Sequence, residues 1–157
     1  MTIDEAEKHH NKNTKEKSEL YKCFDSYAMM GKLKGKYWKA YYITKGWSDL
    51  QGSQDEKNEI ATKLFKEVAD YGDEFPEAQL RYATMLMKRN RGPTEEAIEY
   101  LLKAAKNDHT VAMYNVATYY FNTGNEELGR YYMIKSANKK YPDAIRYCKE
   151  KDIPLIK

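Results

Sequence analysis

The chain has 157 residues, 41% of them hydrophobic, and a formal net charge of +3. That length suits a single domain or a short segment of a larger array, and so small a net charge does not by itself indicate a nucleic-acid partner. No apolar run approaches the roughly 20 residues that a membrane-spanning helix needs, so no membrane partner is expected.

Fifteen tyrosines stand against four phenylalanines. A tyrosine buries a ring while keeping its hydroxyl wet, which suits half-buried surfaces. Four prolines and eight glycines, mostly where turns are expected, fit an all-α chain.

Taken in order, residues 1–15 are polar and without periodicity, and the expectation there is a disordered arm or a poorly anchored helix. From Lys17 to Met30 apolar residues take helical spacing, ending at Gly31, which can adopt the left-handed position after a helix. A second helix is predicted over Lys32–Lys45. Ser53-Gln54-Asp55-Glu56 has capping-box spacing and opens a third, running to Tyr71 before Gly72. The segment 76–108 then reads as two amphipathic helices. Ala78, Ala83, Leu86 and Met87 mark one stripe, and Ala97, Leu101, Ala104 and Ala105 the other. Between them, Thr94 is an N-cap, followed by Glu95 and Glu96 where the helix dipole favours negative charge. Further helices are predicted at 110–122, from Asn125 to near Lys139, and from Pro142 until Asp152-Ile153-Pro154 ends it. Residues 152–157 form a tail.

Small residues recur through these helices. Ala40, Ala83 and Ala117 occupy equivalent central places, as do Ala28, Ala69, Ala105 and Ala137 near helix ends, preceded by Phe24, Phe65, Leu101 and Met133. Such positions mark close helix crossings, where a larger side chain would force the axes apart. The second set is spaced by 41, 36 and 32 residues. Helix pairs joined by loops of unequal length give that pattern, and periods of this size belong to helix-pair solenoids.

The run Ala112-Met113-Tyr114-Asn115-Val116-Ala117-Thr118-Tyr119-Tyr120, with an acidic helix start and Lys135-Ser136-Ala137 after it, resembles the Sel-one-like repeat. That is a short helix pair related to the tetratricopeptide class. The likeness spans about residues 20–150. It departs from the family pattern in having alanine at positions 40, 83 and 117, where a glycine is usual, and in lacking the family's glycine-rich loop. The resemblance implies an all-α, right-handed α-solenoid of antiparallel helix pairs over 16–151, made of a half repeat, three full pairs and a terminal helix. The half repeats are either caps or the cut ends of a longer array. Secreted relatives carry cysteine pairs inside each repeat. Cys23 and Cys148 form no such pair, and a reducing, cytoplasmic location is expected. The start MTIDEAEKHHNKNTKEKSE does not read as a signal peptide.

Chemistry is sparse. His9, His10 and His109 lack the spacing of a metal site and are expected on the solvated surface, so neither metal nor cofactor is predicted. Cys23 has no base near it in sequence, and no enzyme activity is expected. Asp55-Glu56, Glu95-Glu96 and Glu126-Glu127 are explained by the dipoles of three helix starts.

In tetratricopeptide-like stacks the first helix of each pair lines a concave groove. Carried over on Ala40, Ala83 and Ala117, that frame selects Tyr37, Tyr41, Thr44 and Lys45, then Leu80, Arg81, Thr84, Met87 and Lys88, then Tyr114, Asn115, Thr118 and Phe121. Aromatic residues with a basic edge suit an acidic protein or peptide ligand with apolar anchors. One family variant clamps a terminal carboxylate with lysine and asparagine. Tyr37 and Tyr41 stand there instead, so that specificity is not carried over. The resemblance implies an adaptor or scaffold, in relatives associated with protein degradation or attached to kinase-like or other signalling domains. The alternative is a nucleic-acid-binding module on the basic, aromatic segment 32–45, where lysines interleave with Tyr37, Trp38, Tyr41 and Tyr42.

Overall fold

Helix starts in this chain are fixed by local chemistry. Thr2 and Ser53 each accept from the backbone N–H three residues on, and Glu5 and Glu56 reach back to them, closing two capping boxes. Thr94, His109 and Asn125 cap in the same sense, and Pro76 and Pro142 open helices from the first turn.

The computed structural model describes residues 1–155 and is all-helical over them. Its elements are α1 (Ile3–Lys12), α2 (Lys17–Met29), α3 (Leu33–Thr44), α4 (Gln54–Ala69), α5 (Pro76–Arg89), α6 (Glu95–Lys106), α7 (Thr110–Asn122), α8 (Glu126–Asn138) and α9 (Pro142–Glu150). None of these helices is long and apolar enough to cross a membrane. Residues 152–155 of the expected tail are described, and Ile153 is buried there, its N–H donating to the Cys148 carbonyl at 2.8 Å. The tail's last two residues, 156–157, lie outside the described residues.

The chain divides into two compact units, Met1–Tyr71 and the part from Gly72 onward, inside the array expected over 16–151. In the first unit α2 packs on α1 and α3, and α3 on α4. Leu20, Phe24, Ala40, Tyr42, Ile43, Phe65 and Val68 fill its core. In the second, each helix from α5 to α9 packs on the next, around Ala83, Leu86, Leu101, Met113, Val116 and Met133. Every small residue aligned as a packing position, from Ala28 to Ala137, is buried.

Two glycines set helix separations that the sequence reading did not single out. A Cβ on Gly35 would lie 2.5 Å from the backbone nitrogen of Ala28, so α3 crosses α2 at backbone contact. A Cβ on Gly129 would meet the ring of Phe121 at 2.8 Å, so α8 closes on α7 through a side chain.

Of the two expectations for the N-terminal arm, the helix is the one found, and it is capped at Thr2. Ala6 is fully buried, and α1 reaches across to α3 through Glu7 and His10. Single charged and polar contacts, rather than an apolar stripe, anchor it, which is why periodicity did not reveal it. The helix Lys17–Met29, expected to lack a preceding partner, therefore has one packed on it.

Candidate functional site

Helix α7 presents two faces. Ala112, Met113, Val116 and Ala117 are fully buried. Asn115, Thr118, Tyr119 and Asn122 recur at helical spacing on the other side, at spacings that place them on one face. With Met87 of α5, Pro93 of the following turn, Ile98 and Leu101 of α6, and Thr123, they line a pocket of about 340 Å³ inside the second unit. Its floor is apolar, with Leu101 1% and Ile98 9% exposed. No charged side chain lines it.

The polar groups of the rim are not equivalent. The Thr118 hydroxyl donates to the Asn115 carbonyl at 2.8 Å, and that of Thr123 to the Tyr119 carbonyl at 3.0 Å. Among the described residues, the side-chain amides of Asn115 and Asn122 hold no hydrogen-bond partner. An amide offers both donor and acceptor to whatever enters. The volume lies at the lower end of the roughly 300–1,000 Å³ range of ligand pockets, enough for one large side chain.

Of the residues selected from the sequence, Met87, Asn115 and Thr118 meet in this pocket. The others lie elsewhere. Leu80 is 7% exposed and belongs to the core, because its position in α5 shares the buried side with Ala83 and Leu86. Arg81 pairs with Glu77 at 3.1 Å, Thr84 donates to the Leu80 and Arg81 carbonyls, and Lys88 is exposed. Tyr114 packs edge-on against Tyr141, and Phe121 stacks on Tyr147 at 5.3 Å, so both join α7 to its neighbours.

The α3 set belongs to the first unit. Tyr37 packs edge-on against Trp38 and Phe65. Tyr41 lies in a ring cluster with His10, Trp38, Tyr42 and Trp47. Thr44 donates to the Tyr41 carbonyl, and the Lys45 ammonium sits 5.5 Å over the Tyr41 ring.

No family model and no curated protein matches this chain.

The basic segment of α3 is engaged internally. Lys34 reaches Asp4 and Glu7 of α1, Lys39 reaches Asp25 of α2 at 2.7 Å, and Lys36 reaches Glu67 of α4 at 2.8 Å. These lysines brace α3 to three neighbours, and Tyr42 is fully buried. Stacking platforms and phosphate contacts need both groups facing solvent.

Two histidines expected on the solvated surface are built into the fold. His109 Nδ1 accepts the Ala112 N–H as an N-cap, which places the proton on Nε2, facing Glu77. The bond from His109 holds the Glu77 carboxyl below its usual range despite burial. His10 Nδ1 lies 2.7 Å from the Tyr42 hydroxyl. Burial lifts the Tyr42 phenol to about 12, with the neighbouring Tyr41 adding to the effect. Cys23 is half-buried and Cys148 buried, and burial raises both thiols, which keeps them protonated and poor nucleophiles.

Proposed function

We propose that this chain is a protein–protein interaction module that holds a peptide or protein segment by an apolar anchor in the pocket between α5, α6 and α7. In this reading it is an adaptor or scaffold without catalysis of its own. Its helices would be divergent Sel-one-like pairs, stacked antiparallel in a right-handed solenoid.

The observation that carries the proposal is a neutral pocket with an apolar floor and unpartnered amides at its rim. Met87, Ile98 and Leu101 would strip water from an aliphatic or aromatic side chain, while Asn115 fixes the backbone beside it. Lys88, adjacent to Met87 and exposed, favours acidic residues flanking the anchor.

Panning the full chain against a displayed random-peptide library tests this. Enriched peptides are expected to share one large apolar residue beside acidic ones. Thr118→Trp, which fills the pocket, should weaken them about tenfold or more, the effect of excluding an anchor worth over ~1.4 kcal/mol. Its melting temperature should match the wild type. Peptides that bind the variant as tightly would remove the pocket from the account.

A further inference from the structure

We propose that α1 is a detachable cover on α3, held shut while the imidazole of His10 is neutral and loosened when that imidazole is protonated. The cover is thinly anchored. Ala6 is its one fully buried residue, Ile3 is half-buried, and side-chain polar contacts supply much of the remaining hold. The Trp38 indole N–H donates to Glu7 at 2.7 Å, Lys34 bridges Glu7 and Asp4, and His10 meets Tyr42.

His10 sits among four aromatic rings, with centroids 4.7 Å away for Trp38, 5.4 Å for Tyr42, 5.8 Å for Tyr41 and 6.4 Å for Trp47. Ring faces can stabilise a cation, but three of them already carry one. The Lys17 ammonium of α2 lies 4.7 Å over Trp47 and 5.8 Å over Tyr42, and Lys45 of α3 sits over Tyr41. On its own helix the nearest acid is Glu7, already engaged by Trp38 and Lys34. On α2, Asp25 is paired with Lys39. An imidazolium would thus add a further positive charge beside Lys17 and Lys45, where the nearest carboxylate, Glu7, is already shared by Lys34 and Trp38.

Burial, and then Lys17, hold His10 below its ordinary imidazole value of 6.5. A histidine so shifted contributes its full docking stability above 6.5, and loses it as pH falls from there through the lower folded value. Opening would uncover Trp38 and Tyr41 without disturbing the α2–α3 crossing at Gly35.

Amide hydrogen exchange on the full chain tests the cover, corrected for the intrinsic rate at each pH. Between pH 7.5 and 5.5 the opening of α1 should rise by about three- to tenfold, the upper bound set by one pH unit of linkage below 6.5. Amides of α2 and α3 should keep their protection. His10→Gln, which keeps a neutral polar group, should abolish the pH step. If that variant is open at both pH values, Lys17→Gln decides. Its α1 should stay protected to lower pH than the wild type, and an unchanged pH dependence overturns the proposal. So does a wild-type α1 that shows no step, or one that opens only together with α2 and α3.

Discussion

His109 carries two local functions, which makes it a sensitive residue of the second unit. Its Nδ1 satisfies a helix N-terminal N–H while its Nε2 faces Glu77. His109→Ala should destabilise the protein by about 1–2 kcal/mol, the usual cost of a lost cap, read as a lower urea midpoint at unchanged slope. Glu77 adds a pH signature. Because its folded pKa lies below the ordinary 4.5, its contribution is complete above that value and is lost as pH falls through the folded one. Acid titration of Glu77→Gln should therefore show a shallower loss of stability below about pH 4.5 than the wild type. This histidine's pairing with Glu77 was not legible in the sequence. Its partner lies 32 residues away, and only the fold brings the two together.

At the scale of elements, capping chemistry and small-residue spacing carried most of the information. The boxes and caps at Ser53, Thr94 and Asn125 place their helices within a residue of expectation, since each depends on neighbours in sequence. The packing alanines are all buried for the same reason, a periodicity local to one helix. Gly35 was hidden inside a lysine-rich stretch that drew the reading towards charge. Gly35→Ala should cost about 1–3 kcal/mol or more, because its Cβ would meet backbone that cannot rotate away. Ala105→Leu and Ala117→Leu should fall in the same range of about 1–3 kcal/mol by overpacking, while Glu99→Leu, at an exposed position, should be nearly neutral. Equal melting temperatures for the glycine and alanine variants and Glu99→Leu would contradict the helix crossings described above.

For the whole molecule, about a third of the pocket's lining was among the residues selected from the sequence. Met87, Asn115 and Thr118 were selected by the frame carried over from tetratricopeptide-like stacks, and helical spacing continued from Asn115 and Thr118 reaches Tyr119 and Asn122. Ile98 and Leu101 could not be found that way, because they come from α6, assigned entirely to packing. Leu80 was placed on the ligand side by a frame borrowed from another family's geometry, and a rotation of about 100° per residue turns such a position into core. The basic segment of α3 misled for a different reason. Its lysines meet Asp4, Glu7, Asp25 and Glu67, acids distant in sequence, so their neutralisation is visible only once the first unit is folded. Exchanging Lys34 and Lys36 for glutamate should accordingly lower the melting temperature more than it alters ligand binding.

The pocket between α5, α6 and α7 is the centre of the account, and methyl-resolved NMR of the full chain, titrated with a panned peptide, tests it most directly. The Met87, Ile98 and Leu101 methyl signals should shift together, with one saturation curve, while those of Val68 and Ile43 in the first unit stay in place. Shifts confined to residues 32–45, with those three methyls unmoved at saturation, would contradict it.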